Sequence, residues 1–313
     1  MPRWVTPLAA IGALAVLLVL PYVVGSFTVY LTMEILLLAI FALGFNLLLG
    51  YTGLLSFGQA GFFAIGAYAC ALILLTAPNL VFGIAGGMLA AGVVALVLGF
   101  LCVRLTEIYF AMLTLSFGMM IHSVIWRWRD VTGGDDGLTG IPRAPLEVLG
   151  LSIEVSALWQ YYYFMVIVTA VAVWLMHRIV NSPLGLTFQA VRDSAVRAGF
   201  VGIPVRRFRL WAFVIAGLYS GLAGALLAPL ERTVTPVYAH WLFSAEPILA
   251  SLLGGIHTFA GPLVGAVLFI GIKEVAVRYT DYWMLFMGIV IIALVLGFRG
   301  GIVGTIQRWL RWD

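Results

Sequence analysis

The amino-acid sequence predicts an all-α membrane protein with about ten transmembrane helices. Of its 313 residues, 63% are hydrophobic and only 10% are charged, whereas a soluble domain carries charge on about a quarter of its residues. Apolar runs long enough to cross a bilayer recur along the chain, and no stretch between them is long enough to form a separate soluble domain. We therefore expect one transmembrane domain over residues 1–313.

Ten apolar runs mark the expected spans. The first is longer than the core of a usual signal peptide and the second follows it directly, so we expect an uncleaved span. The punctuation Thr258-Phe259-Ala260-Gly261-Pro262 favours a break between two late runs. Eight spans are the alternative, in which 246–277 crosses only once. The runs lie at about 7–24, 29–50, 58–77, 81–103, 107–125, 158–180, 209–229, 246–257, 260–277 and 283–298.

Two polar loops of different charge orient the chain. Segment 178–209 carries six arginines against Asp193 alone, whereas 126–157 mixes both signs. The positive-inside rule places the arginine-rich loop in the cytoplasm, which makes 126–157 an external loop. Ten spans then leave both termini in the cytoplasm, and the net charge of +4 reflects orientation, not nucleic-acid binding. Arginines expected inside include Arg3, Arg104, Arg299, Arg308 and Arg311.

A glycine-rich segment, 49–61, separates the second and third runs. Non-helical backbone cannot face lipid, so it must pack inside protein or line a wet cavity. One interpretation is a re-entrant element that borders a transport pathway. The other is a tight cytoplasmic turn whose small residues permit close helix packing. Both interpretations remain open. The polar side chains that would border a pathway are Asn46, Tyr51, Ser56 and Gln59.

Glu34 lies inside the second run. An intramembrane carboxylate is a functional hypothesis, for example as a partner for a cation or an amino group. The alternative is that it reaches water from a position near the span end. Glu107 and Glu246 begin spans, where a helix N-terminus favours an anion in any case. His177, His240, His257, Cys70 and Cys102 show no metal-ligand spacing, so no metal site is expected.

A weak internal echo makes the chain a candidate for an inverted repeat. Ser56 and Gly66 are ten residues apart, as are Ser244 and Gly254. In the ten-span topology Ser56 falls at a cytoplasmic end and Ser244 at an external end. That is the relation that an inverted repeat would give.

The loop at 181–208 has the signals of a short amphipathic helix. Ser182-Pro183 marks its start, and Gly199, Gly202 and Pro204 mark its stop. Phe188 and Val191 fall on one face, with Arg192 and Arg197 elsewhere. Such a helix can dock into a groove on a soluble partner. It can equally rest on lipid headgroups through its arginines.

Three ordered stretches resemble the permease subunits of branched-chain amino-acid ABC importers, the LivM/LivH family. They are Asn46 to Ala67, Ser182 to Ala228, and Leu253 to Gly265. The segment Gly133 to Gly140 (GGDDGLTG) and its place in the chain favour the LivM-like over the LivH-like subunit. The turn at 257–262 departs from the aromatic-rich form usual in the family, which leaves the substrate open.

The resemblance implies a specific assembly. The loop matching 187–203 would be the coupling helix, and its ATPase-coupling residues would extend as far as Gly202. Phe188 or Val191 would be apolar knobs, and Arg192 and Arg197 would face an ATPase. Partners would be a second homologous permease, two ABC ATPase subunits and an external, periplasmic substrate-binding protein, in a bacterial inner (plasma) membrane. The cargo would be branched-chain or related amino acids, with urea or short amides as alternatives.

The sequence lacks the motif that an ATPase needs, which agrees with ATP hydrolysis on separate subunits. A phosphate-binding P-loop needs Gly-Lys-Ser or Gly-Lys-Thr. Lys273, the sole lysine, follows Ile272 and precedes Glu274. We therefore expect ATP hydrolysis on other subunits, and neither enzyme activity nor a cofactor in this chain. A secondary transporter would need a deep coupling carboxylate, for which Glu34 is the candidate. A membrane enzyme would need converging catalytic groups, which no spacing offers.

Overall fold

The computed structural model describes residues 5–105, 107–148, 151–279, 282–297 and 300–309. Arg3, Arg299 and Arg311, all expected in the cytoplasm, lie outside these residues. The described helices are α1 (Val5–Val23), α2 (Ser26–Asn46), α3 (Gln59–Thr76), α4 (Leu80–Cys102), α5 (Glu107–Arg127), α6 (Arg129–Thr132), α7 (Leu158–Val180), α8 (Pro183–Asp193), α9 (Ala195–Phe200), α10 (Val205–Glu231), α11 (Ala245–Gly254), α12 (Gly261–Tyr279), α13 (Trp283–Gly297) and α14 (Gly301–Trp309).

Every predicted apolar run overlaps a described helix. Six of these are long and apolar enough to cross a membrane: Ser26–Tyr51, Gln59–Thr76, Leu80–Cys102, Ile108–Arg127, Leu158–Val180 and Val205–Glu231. The multi-pass, mainly helical architecture is therefore confirmed. The first of the six includes a π-helical turn, Leu47–Tyr51, at the end of α2.

Helix α11 differs from the expectation for 246–257. It has 10 residues, a length of about 15 Å, which is half of a hydrocarbon core of about 30 Å. It is not a complete helical crossing. Residues 255–260 separate it from α12, so 246–277 is not one continuous helix, and the number of crossings stays a prediction. Two short 3₁₀ turns, Pro236–Ala239 and Trp241–Ser244, lead into α11.

The centre of the molecule is a close contact of α3, α4 and α10. A β-carbon on Gly66 would lie 2.1 Å from the carbonyl oxygen of Gly221, and one on Gly224 would lie 1.9 Å from that of Phe63. These backbones touch because glycine has no side chain. Helices in lipid associate through such close packing, since lipid is as apolar as the helix surface.

The predicted external loop 126–157 folds over the C-terminal end of α10. Strand β1 (Leu138–Thr139) pairs with β4 (Thr233–Val234), and β2 (Leu146–Val148) pairs with β3 (Leu151–Ile153), both antiparallel. Arg143 donates from Nε to the Pro229 carbonyl at 3.1 Å and from Nη2 to the Leu230 carbonyl at 3.3 Å. The loop thereby caps the last carbonyl groups of a buried helix.

The arginine-rich loop forms two short helices, where the sequence predicted one. Pro183 occupies the first turn of α8, a position that suits proline. Ser194 interrupts the helix, and its Oγ accepts from the backbone N–H of Arg197 at 3.2 Å as the N-cap of α9. Gly202, with φ of +87°, follows α9 and confirms the predicted stop.

The glycine contact predicts opposite outcomes for two matched substitutions. Gly224→Ala forces a methyl group against the Phe63 backbone and should lower the unfolding free energy by about 3 kcal/mol. Gly271→Ala, in α12 with nothing within 4 Å among the residues that the structure describes, should be neutral or stabilise by about 0.5 kcal/mol through helix propensity. Thermal unfolding of both variants in detergent measures the difference. Equal melting temperatures would contradict the close α3–α10 contact.

Candidate functional site

Residues 52–58, which we call the re-entrant segment, join the π-helical turn to α3 and form no regular helix beyond Thr52. Its alternate residues Thr52, Leu54, Ser56 and Gly58 are buried within the protein. Polar backbone at membrane depth must find its partners in protein when water is absent. The structure shows packing inside protein, which a pathway element and a tight turn between close-packed helices would both give, so the two interpretations stay predictions.

Hydroxyl groups of two distant helical elements hold the backbone of this segment. Ser244 Oγ donates to the Phe57 carbonyl at 2.8 Å and accepts from the Ala60 N–H at 2.9 Å. Thr114 Oγ1, in α5, accepts from the Phe57 N–H at 3.3 Å. Thus the residues just before α11 and the middle of α5 fix the start of α3.

Gln59 completes the buried network. Its Nε2 donates to Ser56 Oγ at 3.3 Å, and its Oε1 accepts from Ser220 Oγ in α10 at 2.8 Å. Ser56, Gln59 and Ser220 are all fully buried. In this conformation the amide therefore joins α3 to α10, and neither Ser56 nor Gln59 faces an open passage.

The other two predicted pathway residues precede the re-entrant segment, Asn46 at the end of α2 and Tyr51 at the end of the π-helical turn. Asn46 is buried, and within the described part of the chain its Oδ1 has no hydrogen-bond partner. Tyr51 is half-buried and close enough to Arg192 for an electrostatic interaction. Asn46, Tyr51, Ser56 and Gln59 therefore all lie between the end of α2 and the start of α3.

The expectation that Ser56 and Ser244 lie at opposite membrane ends is wrong. Ser244 contacts Phe57 and Ala60 directly, so both serines lie at the same level. The reason is that each precedes a helix through an irregular segment drawn into the protein interior. The repeat itself stays a prediction.

A second group of polar residues lies near the N-terminal half of α2, on the side that the sequence predicts to be external, and we call it the outer acidic patch. It consists of Glu34, Glu231 and Glu246 with Tyr30 and Lys273. Tyr30 OH donates to Glu231, and Lys273 Nζ lies 3.4 Å from Glu246 Oε1. Glu34 interacts electrostatically with Lys273, Glu231 and Glu246.

One carboxylate of the outer acidic patch, that of Glu34, lies well inside α2 and not at its end. Glu34 is eight residues beyond Ser26, about 12 Å along α2. Its members are only partly buried, yet charged groups at this depth do not face lipid and border water or another protein. Sequence reasoning found Glu34 but missed Glu231 and Lys273. A usable signal was present, since Lys273-Glu274 interrupts an otherwise apolar run.

In the loop α8–α9 the apolar side chains expected to be exposed are buried, and other apolar side chains are exposed in their place. Phe188 and Val191 are buried, with Phe188 packed edge-on against Phe208 at 6.3 Å between ring centroids. They face the membrane domain and cannot be exposed knobs here. Phe200 and Val201 instead are 87% and 83% exposed. An amphipathic helix needs cover for its apolar face, and α10 supplies it.

The two predicted arginines of the loop have different surroundings. Arg197 is exposed on α9. Arg192 points inward and donates from Nη1 to the Gly50 carbonyl at 2.6 Å. In the described residues, His, Cys, Asp and Glu nowhere form a group of three that could hold a metal.

Comparison with known proteins is consistent with this membrane architecture. Residues 27–295 match the family described as branched-chain amino acid transport system / permease component. The chain is 28% identical over 303 residues to the high-affinity branched-chain amino acid transport system permease protein LivM of Escherichia coli, covering 88% of this chain and 70% of the relative.

More distant relatives carry other names. A probable branched-chain amino acid transport permease protein LivH of Methanocaldococcus jannaschii is 25% identical over 255 residues, 78% of each chain. The autoinducer 2 import system permease protein LsrC of Yersinia pseudotuberculosis is 28% identical over 258 residues, 77% of this chain and 69% of the relative. No solved structure matches. With the family matched over most of its length, the chain belongs to the branched-chain amino acid transport system permease family and is LivM-like.

Proposed function

We propose that this chain is one permease subunit of an ATP-driven ABC importer that translocates branched-chain or related amino acids delivered by an external binding protein. The observation that carries the proposal is the two-helix loop α8–α9 with its exposed apolar tip at Phe200 and Val201. Exposed apolar side chains on a short helical loop are the geometry of docking into a groove on a soluble partner.

The assembly that we propose follows from family membership and from this loop. A second homologous permease would complete the pathway, two ABC ATPases would dock at the α8–α9 loop of this chain and at the matching loop of its partner, and a binding protein would deliver substrate from outside. The complex would lie in the inner membrane. The LsrC relatives, named for autoinducer 2 import, support a wider range of cargo across the family, and urea or short amides remain alternatives.

We further propose ten crossings with both termini in the cytoplasm. Residues 232–254 would form one broken crossing, in which the 3₁₀ turns traverse the outer half and α11 the inner half. This arrangement is supported by the contact of Ser244 with the interior re-entrant segment. It keeps the crossing number odd between α10 and the tail, as the positive-inside rule prefers.

The pathway that we propose has an outer and an inner part. The outer acidic patch would attract the ammonium group of an amino acid, since its carboxylates outnumber Lys273. Asn46, Tyr51, Ser56 and Gln59 would form the inner part, closed in this conformation. Arg197 and Gly202 would lie at the ATPase contact together with Phe200 and Val201.

A second candidate is an ion-coupled carrier, which the outer acidic patch favours. Intramembrane carboxylates paired with a lysine occur in proton and ion relays. In that case uptake would follow an ion gradient and would need no ATPase subunit.

Co-purification tests the main proposal. The tagged chain, extracted from its native membrane in mild detergent, should elute with a homologous permease and P-loop ATPases. Phe200→Ala combined with Val201→Ala should lower the recovery of the ATPases about tenfold, since two apolar anchors are lost.

The matched control is Phe82→Ala, which removes a phenyl group 66% exposed on α4, at the end away from α8. It should retain the ATPases. Recovery of the wild-type chain alone, with uptake intact, would contradict the importer proposal and favour the ion-coupled carrier.

Glu34→Gln should lower the rate of branched-chain amino-acid uptake about tenfold, because a neutral amide attracts an ammonium group far less than a carboxylate. Uptake into proteoliposomes that contain the whole transporter measures it. Glu154→Gln, an exposed carboxylate of the external loop, should leave the rate unchanged. A normal rate for the Glu34 variant would remove the outer acidic patch from the pathway.

A further inference from the structure

Arg192 joins the loop α8–α9 to the membrane interior. It lies at the end of α8, and its side chain is 30% exposed, whereas that of Asp193 is 62% exposed. Nη1 donates to the Gly50 carbonyl at 2.6 Å. Nε and Nη2 donate to Asp193 Oδ1 at 3.2 and 3.0 Å. The aspartate thus fixes the orientation of the guanidinium towards Gly50.

Gly50 is a junction between three elements. It belongs to the π-helical turn that ends α2, and π-turns often mark functional positions. A β-carbon on Gly50 would lie 2.2 Å from the carbonyl oxygen of Ile256, just beyond the end of α11. The bond from Arg192 therefore reaches the point where the ends of α2 and α11 touch.

The stem of the arginine reaches the start of the re-entrant segment. Gly53 has φ of +72°, and a β-carbon there would lie 3.1 Å from Arg192 Cγ. Glycine is thus required both by the backbone conformation and by the arginine packed upon it. Arg192 contacts the chain on both sides of Tyr51 and Thr52. Its guanidinium group and its aliphatic carbons therefore hold the same turn of the chain, from Gly50 to Gly53.

The bond has the physical properties of a strong link. A cation donating to a carbonyl at a helix C-terminus gains from charge assistance and from the helix dipole. Because it is partly shielded from water, screening weakens it less than it would an exposed pair. Loss of such a bond typically shifts an equilibrium by about tenfold or more.

We propose that Arg192 is a positioning residue that transmits movement of α8 to Gly50, and through it to the re-entrant segment and the end of α11. The inference rests on the proposed function, since it gives the docked loop a route to the closed part of the pathway. Arg192 itself would act from inside the membrane domain, without serving as a docking contact for the ATPase.

The test separates coupling from assembly. The complete transporter, reconstituted in liposomes with its ATPases and binding protein, is assayed for amino-acid uptake and ATP hydrolysis. In Arg192→Gln the ATPases should remain bound and hydrolysis should stay within about twofold of wild type, while uptake falls about tenfold. The ATP consumed per molecule transported then rises about tenfold. Arg192→Lys, which keeps a charged donor for the Gly50 carbonyl, should restore part of the coupling.

Arg104→Gln is the control, since Arg104 is an exposed arginine of the α4–α5 connection, outside the α8–α9 loop. It should keep the wild-type ratio. An unchanged ratio in Arg192→Gln would overturn the proposal, and so would loss of the ATPases from that complex, which would make Arg192 a docking residue.

Two further outcomes are covered, failure of the Arg192 variant to accumulate and absence of ATP-driven uptake in the wild type. If Arg192→Gln does not accumulate, Arg192→Met, which keeps the aliphatic stem against Gly53, replaces it with the same expected ratio. Absence of ATP-driven uptake by the wild-type transporter would contradict the proposed function itself. A failure confined to the ratio would contradict the Arg192 link alone.

Discussion

The structure depends on one constraint, the need to satisfy polar backbone inside a membrane without water. The re-entrant segment leaves the helical ladder within the protein, so its N–H and C=O groups need partners from other elements. Ser244 supplies a donor and an acceptor, and Thr114 supplies a second acceptor. These bonds bring the start of α11 and the middle of α5 against the start of α3. The arrangement of the centre follows from them.

Close helix packing forms the centre of the protein, and charged groups lie around it. The glycines of α3 and α10 let these helices touch backbone to backbone, which forms a tight core in a solvent that offers no hydrophobic driving force. The charged groups are placed on the surface of that core. The outer acidic patch occupies one end, and the bond from Arg192 to Gly50 occupies the other. The tight centre and its two polar ends together fit a transport pathway that is closed in the middle.

The sequence predicted the helices well, because long apolar runs are a strong signal. The membrane sides assigned to the two polar loops from arginine bias stay predictions. It was wrong about Phe188 and Val191. Helical periodicity shows that two side chains share a face, but it does not show which neighbour covers that face. Here the cover is α10, within the same chain.

Contacts between segments that are distant in the chain could not be predicted from the sequence either. Glu34 was found as a lone carboxylate, yet its neighbours Glu231 and Lys273 are 197 and 239 residues away in the chain and meet it only in the fold. Likewise, Ser244 was assigned to the outer end because its depth depends on 3₁₀ turns that no apolar run reveals. Composition and periodicity report local structure, whereas these positions are decided by tertiary packing.

The most direct test of the central claim is the accessibility of the re-entrant segment during transport. Ser56→Cys would be exposed to a membrane-impermeant thiol reagent in the complete transporter, with and without ATP, against the unmodified chain, whose Cys70 and Cys102 are buried. Because Ser56 is fully buried here, we expect negligible labelling without ATP and clear labelling during turnover. Equal labelling in the two conditions would contradict it.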